Sequence, residues 1–175
     1  MKHSLYLIAA LDEKRGIGKN GMLPWRLPAD LAFFQRTTEH TEDPIKENMV
    51  IMGRTTWESI PEKHRPLPGR HNVVLSRREG CKVEGATVHR SLQEALHSVD
   101  EKIGTVFVIG GGQLFAEAIE RPDITGLYLT EVEGDFGCDT FFPEIPARFQ
   151  KTESFGAEEE NGTQFTFWRY DSIID

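Results

Sequence analysis

A chain of 175 residues, 38% hydrophobic and 27% charged, has the size and make-up of one soluble domain around a single core. The formal net charge of −8 argues against nucleic acid or an anionic membrane surface as a partner. No apolar run approaches the ~20 residues that a bilayer-spanning helix needs, so the sequence predicts no membrane association.

The first element, Leu5–Leu11, is a short aliphatic run with no small-residue cleavage site after it, and reads as a buried strand rather than a signal peptide. Asp12–Leu27 is a long loop rich in glycine and charge. Pro28–Glu39 predicts a helix, with Pro28 in its first turn and Leu31 and Phe34 at helical spacing. Glu39–Asn48 reads as an exposed surface insertion. Met49–Met52 and Val73–Leu75 predict strands, with a short helix at Thr55–Ser59 between them. Ser91–Val99 predicts a helix opened by the capping pair Ser91 and Glu94. Val106–Ile109 is a strand, Gln113–Ile119 a helix, and three glycines separate them. Leu127–Val132 and Phe165–Tyr170 are further strands, and Glu158–Gly162 looks like a hairpin tip. Alternation of strand and helix predicts an α/β fold with a mostly parallel sheet and a C-terminal antiparallel hairpin at its edge. The two cysteines, Cys81 and Cys138, have neither CxxC spacing nor a histidine pair near them. Free thiols in a reducing cytoplasm and no metal site are the expectation.

Three kinds of residue could carry chemistry. Asp30 stands on the first turns of an apolar helix, after a loop with two prolines. A carboxylate at the border of an apolar pocket suits a cationic or amidine-like heterocycle, which it can meet with two parallel hydrogen bonds. Gly110-Gly111-Gly112 follows a buried strand and opens a helix, where backbone N–H groups can approach a phosphate. Gly53-Arg54-Thr55-Thr56 has the same grammar, and Ser76-Arg77-Arg78 closes a third strand with a hydroxyl and two guanidiniums. Ligands of open α/β sheets sit beyond such strand ends. Pro66-Leu67-Pro68-Gly69-Arg70 is a rigid turn that presents a guanidinium to a carboxylate. The six histidines show no ligand spacing, and surface positions are expected for them.

The order and spacing of these segments resemble the dihydrofolate reductase family, with a bacterial-type lean, over nearly the whole chain. The resemblance is carried by Ile8-Ala9-Ala10-Leu11, Gly16-Ile17-Gly18, Leu23-Pro24-Trp25, Leu27-Pro28-Ala29-Asp30-Leu31, the run Val50–Ile60, Arg65–Arg70, Val74–Arg77, Ile109–Gly112 and Asp139-Thr140-Phe141-Phe142-Pro143. It implies one domain over 1–175 with an eight-stranded, mostly parallel mixed sheet flanked by about four helices. It further implies reduction of dihydrofolate by NADPH in a cytoplasmic monomer that antifolate inhibitors would bind.

In such a site Asp30, helped by Thr130, holds the pterin edge. Leu31, Phe34, Ile60 and Leu67 wall the rings, Ile8, Ala9 and Ile109 border the pterin, and Arg70 takes the glutamate α-carboxylate. Ala10, Ile17 and Gly18 receive the nicotinamide end, against which Phe115 packs. Gly53, Arg54, Thr55 and Thr56, with Ile109, Gly110, Gly111, Gly112, Gln113 and Leu114, cradle the cofactor phosphates. The Gly110–Gly111 peptide is expected to be cis. Leu75, Ser76 and Arg77 select the 2′-phosphate. Leu23 and Trp25 belong to a lid, Asp12–Leu27, that excludes bulk water.

Some positions depart from the common pattern. Leu23 stands where many bacterial members have Met, and Phe115 where many have Tyr. Asp30 in place of Glu leans bacterial, whereas Glu39–Asn48 and Ile60–Arg65 are closer to vertebrate lengths. Two alternatives share part of the pattern: a pyrimidine-type reductase on the same fold, and a catalytically silent binder of folates or nucleotides.

Overall fold

The computed structural model describes residues 3–173. In chain order the elements are β1 (Leu5–Leu11), β2 (Gly16–Gly18), α1 (Pro28–Glu39), β3 (Glu47–Gly53), α2 (Arg54–Ser59), a 3-10 turn at Glu62–His64, β4 (Arg70–Leu75), β5 (Thr87–His89), α3 (Leu92–His97), β6 (Ile103–Gly110), α4 (Gly112–Ile119), β7 (Gly126–Val132), β8 (Thr140–Phe141), β9 (Phe149–Glu160) and β10 (Thr163–Ser172). Eight strands make one sheet in the order β5-β4-β3-β6-β1-β7-β10-β9, and β2 and β8 pair separately. All pairs from β5 through β7 are parallel, and β10 runs antiparallel to β7 and β9. This is the predicted class.

The central strands are apolar on both faces because helices cover both. Leu7, Met49, Ile51, Val73, Val106, Val108, Leu127 and Leu129 pack with Leu92 and Ala95 of α3 and with Leu114, Phe115 and Ala118 of α4. The alternate residues Ile8, Val50, Met52, Val74 and Phe107 pack around Trp57 of α2. No helix among the described residues is long and apolar enough to cross a membrane.

Three local predictions change. Helix α1 is anchored by Phe33, whose ring stacks on Phe167 at 4.3 Å between centroids. Phe34 is half-buried, and Leu31 is 55% exposed and serves no core. The apolar spacing of α1 therefore contains two faces, one structural and one opening outward. Second, Glu39–Asn48 is not wholly a surface insertion. Its last residues begin β3, and Asn48 is fully buried. Asn48 Nδ2 donates to Thr38 O and His40 O, both at 2.8 Å, and Asn48 Oδ1 accepts from Thr105 N at 2.9 Å. One amide thus ties the end of α1 to β6, and only residues 42–45 form a fully exposed loop. Third, α3 is shorter than Ser91–Val99: Ser91 Oγ caps it by accepting from Glu94 N at 3.0 Å, and the helix ends at His97.

The hairpin tip is the pair Asn161-Gly162, both at positive φ (51° and 78°), a two-residue turn whose twist suits the strands beside it. The Gly110–Gly111 peptide is cis, as is Arg65–Pro66.

Replacing Asn48 with Ala orphans one buried amide and two carbonyls. Urea denaturation is expected to show a loss of about 2–4 kcal/mol with an unchanged m-value. A loss below about 1 kcal/mol would contradict the clamp.

Candidate active site

Because β1, β3, β4, β6 and β7 are parallel, their carboxyl ends open at one edge of the sheet. The register sets Ala10 beside Thr130, Met52 beside Gly110, and Gly53 beside Leu75. The chemistry-bearing segments, far apart in sequence, therefore meet along one line.

At one end of that line lies Asp30. The backbone N–H groups of Asp30 and Leu31 donate to Leu27 O at 3.0 and 3.1 Å, which turns the chain out of the proline loop and into α1. The Asp30 side chain comes to rest against β7, with the residue only 8% exposed. Thr130 Oγ1 donates to Asp30 Oδ1 at 2.7 Å. No cation pairs with this carboxylate among the described residues. Burial pushes the Asp30 carboxyl above its ordinary range; the Thr130 hydroxyl restrains the rise, and the charge of Glu160 adds to it. Glu160 is placed there by accepting from Ala29 N at 2.9 Å. Trp25 is buried beside Phe136 and Ala29, and its indole N–H has no hydrogen-bond partner among the described residues.

Arg70, the first residue of β4, lies at the amino-terminal end of its strand, away from that line, and is buried rather than displayed on the turn. Its Nε donates to Pro68 O at 2.9 Å, its Nη1 donates to Thr38 Oγ1 at 2.9 Å, and its Nη2 lies 3.3 Å from Glu39 Oε1. Burial pulls the guanidinium pKa down, and Glu39 opposes this. Ile60 and Leu67 are half-buried in the same apolar cluster as Phe34, Ile8 and Ile109, while Leu31 faces outward. Leu67 is pinned by reciprocal bonds to the side chain of Asn72, both at 2.9 Å. Arg65 Nη1 gathers the carbonyls of Trp57 and Ile60 at 3.0 and 2.9 Å, fixing the turn that carries Ile60.

Along the line of carboxyl ends, glycines bring the backbone close to neighbouring residues. Gly110 has φ 142°, and a Cβ there would lie 3.2 Å from Thr56 Oγ1 and 3.7 Å from the Phe115 ring. At Gly112 it would meet Phe141 O and Thr140 Cγ2, both at 3.1 Å, with Ile17 Cδ1 at 3.9 Å. Gly111 caps α4 with no side-chain hydrogen bond, so the first N–H groups of that helix, at Gly112, Gln113 and Leu114, are free to meet an anion. The side chains of Leu114 and Phe115 themselves belong to the core, and Gln113 is exposed. Beside these glycines Arg54 pairs with Glu58 at 2.8 Å, and Thr55 is exposed. At the end of β4, Ser76 Oγ accepts from Arg78 N at 3.2 Å, and Arg77 is exposed. Ala9 lies on the opposite face of β1 from Ile8, against the α4 core.

The loop over the site is fastened by groups that sequence reading left out. The buried Asp12 carboxylate accepts from Lys14 N at 2.9 Å, Gly16 N at 2.8 Å and Phe136 N at 3.0 Å, and from the thiol of Cys138 at 3.6 Å. Burial opposes its ionisation, but the N–H groups of Phe136, Gly16 and Lys14 outweigh burial and hold its pKa low. Only glycine fits at position 16, since a Cβ would come within 2.5 Å of Cys138 Cβ and Sγ. β2, with Ile17 and Gly18, pairs with β8, and Asp139 Oδ2 accepts from Asn20 N at 3.0 Å. Cys138 is therefore a structural donor rather than an idle thiol. Leu23 remains 48% exposed at the mouth of the site.

A raised Asp30 pKa means that the folded, ligand-free protein holds this proton more tightly than the unfolded chain. The ionised carboxylate thus costs stability above the raised pKa, and the cost fades as pH falls below both values. Asp30→Asn is expected to raise Tm of the ligand-free protein at pH 7.5, with the gain shrinking toward zero near pH 3 to 4, as followed by thermal melts. A Tm lowered at pH 7.5 would contradict this.

Comparison with known proteins gives consistent results. The family model described as dihydrofolate reductase matches residues 4–172. The dihydrofolate reductase of Drosophila melanogaster is 39% identical over 170 residues, covering 92% of this chain and 93% of that protein. The bifunctional dihydrofolate reductase-thymidylate synthase of Daucus carota is 43% identical over 173 residues, covering 94% of this chain; the chain spans 33%, about a third, of that relative's length. Among solved structures, the dihydrofolate reductase of Schistosoma mansoni superimposes with a TM-score of 0.86 at 34% identity, covering 99% of this chain and 100% of that one.

Proposed function

The chain belongs to the dihydrofolate reductase family, and from that premise we propose that it reduces 7,8-dihydrofolate to 5,6,7,8-tetrahydrofolate within a single domain over 1–175. NADPH would supply the hydride that C6 accepts, while N5 gains a proton. The observation that carries this reading is the buried carboxylate of Asp30, hydrogen-bonded to Thr130 and without a cation among the described residues.

Such a carboxylate is completed by a ligand that brings paired N–H donors, as the 2-amino group and ring nitrogen of a pterin do. Ile8, Ala9 and Ile109 would border the pterin. Leu31, Phe34, Ile60 and Leu67 would hold the ring system, which accounts for an apolar Leu31 left exposed on α1. Arg70 would bind the glutamyl carboxylate, so the two charged ends of the site are matched to the two polar ends of the substrate. Antifolate inhibitors with a diamino edge would take the same carboxylate.

The cofactor would lie along the glycine turn at the start of α4, where a Cβ at Gly110 or Gly112 would press on Thr56, Phe141 and Thr140. Gly53, Arg54, Thr55 and Thr56 would join Gly110, Gly111 and Gly112 and the backbone of Gln113 and Leu114 in holding its phosphates. Leu75, Ser76 and the exposed Arg77 would take the 2′-phosphate and favour NADPH over NADH. Ala10, Ile17 and Gly18 would hold the nicotinamide end, with Phe115 behind it.

The chain's own contribution to the chemistry is alignment and electrostatics. The walls hold the two rings in contact, and the fastened loop with Leu23 and Trp25 excludes bulk water. Asp30, bound to the pyrimidine edge, faces away from N5. Its negative charge favours a protonated ring, while the proton itself reaches N5 by way of a water under the loop. The balance of charge argues for a protein that acts without nucleic acid or membrane; a cytoplasmic monomer is the corresponding reading.

The test is NADPH oxidation followed by absorbance, with dihydrofolate present or absent and NADH in comparison. Folate-dependent oxidation with a preference for NADPH is expected. Asp30→Asn should still bind NADPH but lose about 10²-fold or more of its neutral-pH turnover, with partial recovery in acid, where the substrate is already protonated. Full neutral-pH turnover in that variant would sink the role given to Asp30.

A further inference from the structure

Arg70 already has a carboxylate neighbour. Glu39, the last residue of α1, puts Oε1 3.3 Å from Arg70 Nη2, and Gln35 Nε2, one turn earlier on the helix, donates to that same oxygen at 3.2 Å. The directed hydrogen bonds of the guanidinium go instead to neutral acceptors, Pro68 O and Thr38 Oγ1. The Arg70 side chain is only 3% exposed, whereas that of Glu39 is 34% exposed. A buried cation is thus neutralised by a counterion that keeps one side in water.

We propose that Glu39 is a specificity-determining residue: its carboxylate competes for Arg70 and sets how much a substrate gains from carrying a carboxylate at this end of the site. This rests on the reading that Arg70 receives the glutamyl carboxylate of dihydrofolate. Two anions beside one guanidinium repel each other, so an arriving carboxylate must share Arg70 with Glu39 or displace it toward the solvent that already bathes it. Either route subtracts from binding. Removing the charge of Glu39 leaves a buried guanidinium without its counterion in the free protein, and the ligand's carboxylate then has more to gain. A pterin without a tail carboxylate never meets this competition, so its binding is indifferent to Glu39. The residue therefore limits the selectivity of the site for carboxylate-tailed pterins over tailless ones.

The experiment compares KM for dihydrofolate and for 6-methyl-7,8-dihydropterin in the parent protein, in Glu39→Gln and in Arg70→Gln, with Arg70→Lys made should the glutamine variant fail to fold. Glu39→Gln is expected to lower the dihydrofolate KM by about three- to tenfold at low salt. The effect should contract at high ionic strength, with the dihydropterin KM unchanged. The Arg70 variants should raise the dihydrofolate KM alone. An unchanged or raised dihydrofolate KM in Glu39→Gln, with the Arg70 variants behaving as expected, overturns the competition by itself and leaves the reading of Arg70 in place. Arg70 variants that leave both KM values unchanged overturn the reading of Arg70 and the proposal with it.

Discussion

The burial of Asp30 without a partner cation is the constraint around which the rest of the site is arranged. A carboxylate taken out of water needs hydrogen bonds or an opposite charge, and the described residues supply one hydroxyl, that of Thr130 at 2.7 Å. Burial and the nearby Glu160 both raise its proton affinity. On the proposed reading, the edge of a bound ring would offset that cost. Several features around the carboxylate follow. Phe33 anchors α1 to Phe167 so that Asp30 can be held against β7, and Leu31 is left facing the opening. The indole N–H of Trp25 is likewise kept buried and unpartnered near the same helix start.

Arg70, at the amino-terminal end of β4, shows the complementary arrangement. Arg70 is as buried as Asp30 but has neutral acceptors and a half-solvated counterion. The described residues thus hold the buried carboxylate of Asp30 and the buried guanidinium of Arg70, along with the apolar cluster that includes Phe34, Ile60 and Leu67. Gly110–Gly112, at the junction of β6 and α4, pass close to Thr56 of α2 and Thr140 of β8, where a Cβ would be a tight fit. The loop Asp12–Leu27 closes over this junction because Asp12 ties it to Phe136 and Cys138, while β2 and β8 pair. A hydride donor and a flat acceptor would then be pressed together by walls that belong to different elements of one rigid sheet.

Much of this was legible in the sequence because its grammar is local. Glycine after a buried strand, proline at a helix start and a capping pair each act within a few residues and stand where they were read, while the hairpin tip read as Glu158–Gly162 narrows to Asn161-Gly162. What was not legible depends on partners distant in the chain. Asn48 looks like the end of a polar insertion until Thr105, 57 residues on, is placed against it. Asp12 looks like a loop carboxylate until Phe136, 124 residues away, arrives. Glu160 reaches Ala29 across 131 residues, and nothing in its Glu-rich hairpin distinguishes it. The exposed strand β9 and the short strands β2, β5 and β8 lack the apolar pattern that announces a strand. Arg70 was read as a guanidinium displayed on a rigid turn, whereas its burial and its neighbour Glu39 follow from the end of α1 reaching the start of β4.

The central claim is that the folded, ligand-free protein holds Asp30 at a raised proton affinity that a donor-bearing ring relieves. Carbon-13 NMR of labelled aspartate reads this directly when the pH titration is run with and without a diaminopyrimidine antifolate, and Asp30→Asn assigns the signal. The account predicts an Asp30 carboxyl that titrates clearly above the ordinary value of about 4 in the free protein and falls below it in the complex. An Asp30 that titrates at or below the ordinary value before any ligand is added would contradict it.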